Sequence, residues 1–219
     1  AWTLASTPQG LCLQHASGSV SPVYAELDNA DIQRRIRGGR KQPLARACGL
    51  HKKKSGHNTH ILDATGGLGR DAATLAGLGC RVTLYERNPV IAALLQDGLE
   101  RWQTAYPDRI GQLKLINEDF CQSSHSDTAN ADIIYLDPMY PETGSALSKK
   151  EMQALQDIVG HDDDISALFN AARRAAALKG VRRIIIKRPA KMAALTGHDI
   201  TKPSLHFGGA RTRYDVYLL

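Results

Sequence analysis

Four consecutive residues near the middle of the chain could bind a flat ring that carries an amine. Asp137-Pro138-Met139-Tyr140 follows an apolar run at 131–136 that is typical of a buried strand. A carboxylate and a backbone carbonyl can accept the hydrogens of the amine, and a tyrosine can stack on the ring. Ligands of wound α/β sheets bind beyond the carboxyl ends of strands, where these residues are expected. The alternative is a proline turn that only ends a strand.

A glycine-rich turn lies upstream, between another predicted strand and a helix. It contains Gly66, Gly67 and Gly69, and it fits the GxGxxG/A pattern of dinucleotide sites. Glycines let the backbone approach a ligand and adopt positive φ, and the helix that begins near Arg70 presents unpaired N–H groups to an anion. Glu86 ends the next predicted strand and could bind both hydroxyls of a ribose. These features favour a nucleoside cofactor over a tight turn and a surface glutamate.

Two cofactor classes fit this frame. One is a nicotinamide dinucleotide for hydride transfer, and the other is S-adenosylmethionine (SAM) for methyl transfer. Asp119 follows a third predicted strand and could accept hydrogens from an adenine amine. Phe120 could pack against that adenine or belong to the core.

The segment at 137–140 separates the two classes. It resembles the (Asn/Asp)-Pro-Pro-(Tyr/Phe/Trp) motif of methyltransferases that act on base amines or on a glutamine amide. Hydrogen bonds from the amine to Asp137 and to the carbonyl of Pro138 would free its lone pair to attack a methyl group. Tyr140 would fix the plane of the base. Met139 departs from the motif, but the two proposed acceptors are kept.

The order of the predicted elements is that of an α/β protein. Strands are predicted at 60–64, 81–85, 112–116, 132–136, 183–187 and 214–218, with a further candidate at 22–27. Helices are predicted at 70–78, 90–102 and 165–178, and Pro43 is expected to begin another. Alternating strands and helices favour a mostly parallel sheet, and the last two strands favour an antiparallel pair.

The composition is that of an ordinary globular protein. The 219 residues suit one domain with an appendage, and 42% are hydrophobic. Neither a membrane span nor a signal peptide is expected, so the protein is predicted to be cytoplasmic. The four cysteines are far apart, which argues against a disulfide framework and against a metal site. A monomer is favoured over an oligomer.

Positive charge is concentrated in residues 34–54 and 182–191, within a net charge of +6. Such clusters are often only solvated surface, but two beside one candidate site favour a nucleic-acid partner. Lys187 could instead orient the base or cap the sheet. The residues predicted to contact RNA phosphates are Arg34, Arg35, Arg37, Arg40, Lys41, Lys149, Lys150, Lys187 and Arg188.

Several motifs, in order along the chain, point to one family. They lie at 62–72, 79–82, 85–90, 92–99, 135–141, 145–147, 149–152 and 187–189, with Arg34-Arg35 and Gly38-Gly39-Arg40 upstream. In this order they resemble the RsmJ-type 16S ribosomal RNA (guanine-N2) methyltransferases. Met139, unusual in the general motif, is usual in this family.

The resemblance implies a Rossmann-like class I SAM-dependent methyltransferase fold. The predicted domains are an N-terminal extension at 1–57, which carries the first basic segment, and a methyltransferase domain at 58–219. A small-subunit rRNA partner is implied, with no membrane, DNA or metal. SAM contacts are implied at Arg70, Asp71, Glu86, Arg87, Asp119, Phe120 and Asp137. A nicotinamide-dependent dehydrogenase and a non-catalytic RNA-binding protein are the alternatives.

Overall fold

A sheet of seven strands forms the centre of the described chain. The computed structural model describes residues 1–52, 59–124, 130–140, 154, 157–158, 165–195, 200 and 202–219. The sheet strands are β3 (His60–Asp63), β4 (Arg81–Tyr85), β5 (Leu113–Ile116), β6 (Ile133–Leu136), β7 (Arg183–Pro189), β8 (Leu205–Gly208) and β9 (Thr212–Leu218). A separate hairpin joins β1 (Trp2–Thr7) to β2 (Gly10–His15). The helices are α1 (Ala30–Arg37), α2 (Pro43–Ala47), α3 (Arg70–Gly77), α4 (Pro89–Ala105) and α5 (Ile165–Lys179).

The strand order brings three acidic residues to one edge of the sheet. The order is β5-β4-β3-β6-β7-β9-β8. The first five strands in this order are parallel, and β9 is antiparallel to both of its neighbours. The order reverses between β3 and β6, and ligands of open α/β sheets bind in the crevice at such a point. Asp63, Glu86 and Asp137 lie where β3, β4 and β6 end. The predicted parallel sheet with a final antiparallel pair is therefore confirmed.

Helices cover both faces of the sheet. Ile133 and Ile185 pack in the apolar cluster that contains residues of α1, α2 and α3. Ile134 and Ile184 point to the other face, where they pack with α5 residues such as Ala172. This alternation follows from the two-residue period of a strand. Each such aliphatic side chain contributes about 1.5–3 kcal/mol when it is fully buried.

The N-terminal segment packs on the same core as the sheet. Leu27, Ile32, Leu44 and Leu50 belong to the cluster that contains α3. The hairpin packs on α4 through Leu13. The predicted boundary between 57 and 58 lies outside the described residues, so the division into extension and domain stays a prediction.

One predicted strand is wrong. Residues 22–27 form no regular strand, because pairing there is limited to a bridge between Val23 and Leu13. Ala25 instead crosses α4 closely, where a Cβ on Gly98 would lie 2.4 Å from the Ala25 carbonyl oxygen. This crossing explains a glycine inside a helix. The other predicted strands and helices are present with small shifts at their ends, and β1, β2, α1 and β8 were not predicted.

The cysteines agree with the sequence-based expectation of free thiols. Cys12, Cys48 and Cys80 are buried, Cys121 is half-buried, and none is in a disulfide. No helix within the described ranges is long and apolar enough to cross a membrane.

Candidate active site

Asp137 lies directly after β6, with its side chain 35% exposed. Its backbone N–H donates to Oγ1 of Thr65 at 2.7 Å, and this hydroxyl is 3.3 Å from Oδ1 of Asp63. The Thr65 side chain therefore ties the loop after β6 to the loop after β3. Nζ of Lys187 donates to Oδ2 of Asp137 at 2.7 Å. One carboxylate oxygen is thus held by a cation, at the edge where a ligand is expected.

The cation beside Asp137 belongs to a larger network of charges. Lys187 also donates to Oδ2 of Asp71 at 3.0 Å. The hydroxyl of Tyr135 donates to the same oxygen at 2.5 Å, and Arg35 pairs with Oδ1. The order Arg35, Asp71, Lys187, Asp137 alternates positive and negative groups from α1 to the end of β6. Asp71 is 8% exposed, so its carboxylate is buried and binds protein side chains.

Burial and pairing act in opposite directions on these groups. Burial raises the pKa of the Asp71 carboxyl, but Lys187, Arg35 and Tyr135 outweigh it and hold that pKa well below its ordinary value. Burial also raises the pKa of Asp137, and Lys187 opposes this rise without cancelling it. Burial lowers the pKa of the Lys187 ammonium, whereas Asp137 and Asp71 raise it above its ordinary value. Lys187 is therefore a stable cation at neutral pH.

Asp63 is a buried acid that sequence analysis did not assign to the site. It is 3% exposed and accepts a hydrogen bond from the backbone of Thr65 at 3.1 Å. Burial raises the pKa of its carboxyl to about 7, although the Thr65 hydrogen bond lowers it and the charges of Asp71 and Asp137 raise it. Its position at the end of a predicted buried strand was the sequence feature that could have assigned Asp63 to the site. Thr65 and Tyr135 gave no such signal.

The glycine-rich turn has the backbone conformation that its sequence predicts. Gly67 and Gly69 have positive φ angles of 50° and 71°. A Cβ on Gly69 would lie 2.7 Å from Cδ1 of Leu95, so both the angle and the space require glycine. The N–H of Gly67 donates to Oε2 of Glu86 at 2.8 Å, and the N–H of Asn88 donates to Oε1 at 2.8 Å. These bonds fix the carboxylate beside the turn.

The other residues implied in cofactor contacts have different environments. Arg70 is half-buried at the start of α3, and Arg87 is exposed in the loop after β4. Asp119 is half-buried, and its Oδ1 accepts from the N–H of Cys121 at 2.8 Å. Phe120 is 1% exposed and packs edge-on against Tyr85, with ring centroids 5.1 Å apart. The Phe120 ring therefore belongs to the core, and its predicted ring contact with a ligand is not supported.

Tyr140 lies beside a buried arginine. Cζ of Arg188 is 5.6 Å from the centroid of the Tyr140 ring, and Arg188 is 6% exposed. Burial raises the pKa of the Tyr140 hydroxyl, so this side chain is neutral at physiological pH. Asp215 lies on the same side and is bound at two points by Arg213, at 2.7 and 3.0 Å.

The predicted phosphate contacts fall into three groups. Arg34, Arg37 and Lys41 are exposed on α1 and the short turn of helix after it, and Arg40 is half-buried there. Arg35, Lys187 and Arg188 are instead turned inward, with side chains 22%, 18% and 6% exposed. Their burial gives no support to the predicted role as surface phosphate contacts, which stays a prediction. The alternative that Lys187 acts at the base site agrees with its contact to Asp137. Lys149 and Lys150 lie outside the described residues.

A cavity of about 410 Å³ opens next to the basic part of α1. It lies between the N-terminal segment and the turn from β8 to β9. Arg35, Gln42, Arg211 and Tyr214 supply its polar lining. Arg211 was not predicted, because a lone arginine in a turn has no distinguishing sequence pattern.

Comparisons with known proteins decide the family. A family model for SAM-dependent methyltransferases matches residues 1–219. A ribosomal RNA small subunit methyltransferase J from Chromobacterium violaceum is 42% identical over 93% of this chain and 78% of its own. One from Coxiella burnetii is 45% identical over 90% of this chain and 75% of its own. The chain belongs to the ribosomal RNA small subunit methyltransferase J family.

Some relatives in this family are considerably longer than the chain. The chain spans 67% of the protein from Alteromonas mediterranea and 66% of the one from Hydrogenovibrio crunogenus, at 41% and 42% identity. About one third of each of these relatives therefore has no counterpart in the match. Family membership nevertheless confirms the resemblance that the ordered motifs indicated.

Solved structures support the same fold. A SAM-dependent methyltransferase from Neisseria gonorrhoeae aligns with a TM-score of 0.70 and 28% identity, over 95% of this chain and 78% of that chain. A hypothetical protein from Thermus thermophilus aligns with a TM-score of 0.52 and 15% identity, over 94% of this chain and 91% of that chain. The Rossmann-like class I methyltransferase fold is confirmed. The relatives give no support to the dehydrogenase or to the non-catalytic RNA-binding protein.

Proposed function

We propose that this protein transfers a methyl group from SAM to the exocyclic N2 amine of one guanine in 16S rRNA. The observation that carries the proposal is the position of Asp137, whose half-exposed side chain lies at the sheet edge beside the glycine turn. The chain that carries it belongs to the small subunit methyltransferase J family. The family supports the rRNA acceptor, and the pairing of a carboxylate with a proline carbonyl supports an amine as the acceptor group.

The sheet edge offers groups that suit SAM. Glu86 is fixed by two backbone N–H groups, and we assign it to the ribose hydroxyls. The turn at Gly66, Gly67 and Gly69 would let the backbone approach the cofactor, and we assign Asp119, which follows β5, to the adenine amine. We assign further contacts to Arg70, to Arg87, to Asp137 and to the backbone of Phe120. Asp71 contributes its backbone only, because its carboxylate is used by Arg35 and Lys187.

The chemical problem is the poor nucleophilicity of a base amine. Its lone pair is delocalised into the ring. When Asp137 and the carbonyl of Pro138 each accept one amine hydrogen, the nitrogen moves toward tetrahedral geometry and its lone pair becomes available. SAM, when bound, would supply an electrophilic methyl group on a positively charged sulfur. The N–C bond would form as the C–S bond breaks, and S-adenosylhomocysteine would leave as a neutral thioether. Tyr140 stacks on the base and fixes the direction of attack, and the methylated amine then loses its extra proton to water.

Lys187 positions Asp137 for this task. Its ammonium fixes Oδ2 at 2.7 Å and leaves Oδ1 for the amine. It also favours the ionised carboxylate, because a nearby cation lowers the pKa that burial raises. Asp71 in turn holds Lys187 at 3.0 Å. An ionised, oriented acceptor is the form that two-point binding of the amine requires.

The RNA is proposed to bind the basic surface, defined as Arg34, Arg37, Arg40 and Lys41. These residues lie on α1 and the turn that follows it. Arg211 lines the cavity that lies next to this surface. Phosphate contacts from such residues would orient the RNA without reading its sequence. We place this activity in the cytoplasm, with residues 1–57 as an extension that carries the basic surface.

Methyl transfer from labelled SAM tests the proposal. The protein is incubated with 16S rRNA or 30S particles that lack the modification, and the methylated nucleoside is identified by mass spectrometry. N2-methylguanosine is expected at one position. Asp137→Asn keeps the shape of the side chain and is expected to remove transfer while the fold, measured by thermal unfolding, persists, whereas Asp97→Ala on α4 is a control with normal turnover. Transfer to another base, or none, refutes the proposed acceptor.

A further inference from the structure

Several buried polar atoms near Tyr140 have no hydrogen-bond partner in the described structure. They are Nε and Nη1 of Arg188 and the hydroxyls of Tyr140 and Tyr217. Buried donors are costly to leave unpaired, so native structures rarely keep several in one place. This cluster lies where Tyr140 meets Arg188, directly after the segment proposed to hold the amine.

The acid nearest to Arg188 does not satisfy it. Nε of Arg188 is 3.9 Å from Oδ2 of Asp215, beyond hydrogen-bond distance. Both oxygens of Asp215 are already bound by Arg213, through Nε and Nη2. Asp215 therefore balances the charge of Arg188 while leaving its Nε–H and Nη1 hydrogens free for a further acceptor.

Arg188 and Lys187 reach opposite sides of the sheet edge. They are consecutive residues of β7, and consecutive side chains of a strand point to opposite faces. Lys187 contacts Asp137, whereas Arg188 contacts Tyr140. A ring stacked on Tyr140 would thus have the hydrogen-bond acceptors of Asp137 and Pro138 at one edge and the buried guanidinium of Arg188 at the opposite edge.

We propose that Arg188 reads the O6 and N7 atoms of the acceptor guanine and so makes the site specific for that base. This inference rests on the proposed methyl transfer and refines its substrate. Arginine binds O6 and N7 of guanine at two points through adjacent N–H groups on one edge of the guanidinium, here Nη1 together with Nη2, because Nε–H lies on a different edge from Nη1. The N2 amine is on the other edge of the ring, where Asp137 and Pro138 bind it. Adenine carries a donor amine in place of O6, so it would leave the donors of Arg188 opposed by another donor.

A wild-type measurement tests the O6 contact. Transcripts are prepared with 2,6-diaminopurine in place of guanine, which keeps the 2-amine and N7 but replaces O6 with a donor amine. Transfer is expected to fall about 5- to 150-fold, the range of one two-point arginine contact. Equal rates on the two transcripts would overturn the proposal without involving any protein variant.

A substrate–variant cycle tests the N7 contact. Transcripts with 7-deazaguanine replace N7 by C–H, and wild type is expected to lose about 5-fold or more in kcat/KM for RNA. Arg188→Met is expected to be slower on normal RNA but to show little further loss on the deaza transcript. Arg174→Met, on α5, is the matched control and should behave as wild type. The same deaza loss in Arg188→Met as in wild type would show that Arg188 does not read N7.

Two further results separate the possible failures. Arg188→Lys keeps the charge but loses the two-point geometry, so it is expected to resemble Arg188→Met. SAM affinity, measured by calorimetry, should be unchanged in both variants if they are folded. If wild type transfers no methyl group to guanine N2, the proposed function fails. If transfer occurs but is insensitive to O6 and N7, only the role of Arg188 fails.

Discussion

Nζ of Lys187 lies 2.7 Å from Oδ2 of Asp137 and 3.0 Å from Oδ2 of Asp71. One cation therefore joins the acid at the end of β6 to an acid in the first turn of α3. Two carboxylates this close would repel each other without it, and burial alone would favour their neutral forms. The position of Lys187 sets both the charge and the orientation of Asp137.

Replacing Lys187 with methionine is expected to lower kcat and to change its pH dependence. Burial already raises the pKa of Asp137, and Lys187 opposes that rise. Without the cation the pKa rises further, so the ionised form is lost at a higher pH as acid is added. The acidic limb of the kcat profile should move upward by about one pH unit or more, with the KM for SAM little changed. Lys187→Arg should restore much of the profile, and a loss independent of pH would contradict the assigned role.

Replacing Asp71 with alanine is expected to destabilise the protein strongly. The change leaves Arg35 and Lys187 buried without their shared partner, and breaking a buried pair typically costs about 3–5 kcal/mol. Asp31→Ala is the matched control, because Asp31 pairs with Arg34 at the surface, where such pairs contribute about 0–1 kcal/mol. Urea unfolding measures both free energies. Similar losses in the two variants would show that the buried network contributes little.

Replacing Gly69 with alanine is expected to reduce both stability and SAM affinity. The residue has φ of 71°, and the new Cβ would lie 2.7 Å from Leu95 and 2.8 Å from Leu27. Gly111 is a control for backbone strain alone, since its φ is 84° and a Cβ there meets nothing within 4 Å. Gly111→Ala should cost about 1–2 kcal/mol and leave SAM binding intact. Equal effects would mean that close packing at the turn is unimportant.

Removing charge from the basic surface is expected to weaken RNA binding, most strongly at low salt, and to make that binding less sensitive to salt. Arg37→Ala combined with Lys41→Ala removes two exposed cations. If both contact phosphates, the slope of log affinity against log salt should become shallower by about 1.4–1.8, from roughly 0.7–0.9 for each contact. Arg173→Ala with Arg174→Ala removes the same charge from α5 and is the control. Binding measured by filter retention at several salt concentrations would contradict the assignment if the two pairs behave alike.

Sequence alone located the parts of the site that depend on local chemistry. Glycines at 67 and 69 were predicted to adopt backbone angles open to glycine, and both have positive φ. The acids at 86, 119 and 137 were predicted to follow strands, because short apolar runs precede them, and they do. The family was predicted from motifs in order along the chain, and the relatives confirm it.

The tertiary structure alone decided which charged side chains are buried and paired with other protein groups. Arg34, Arg35 and Arg37 are equivalent in sequence, yet Arg35 faces Asp71 across 36 positions of the chain and the other two are exposed. Lys187 meets Asp71 across 116 positions, and Arg188 is buried because the next residue in a strand points to the other face. Local patterns report the conformation of neighbouring residues. The partner of a charged side chain depends on which distant elements the fold brings beside it. A run of basic residues therefore does not predict which of them will be paired and buried.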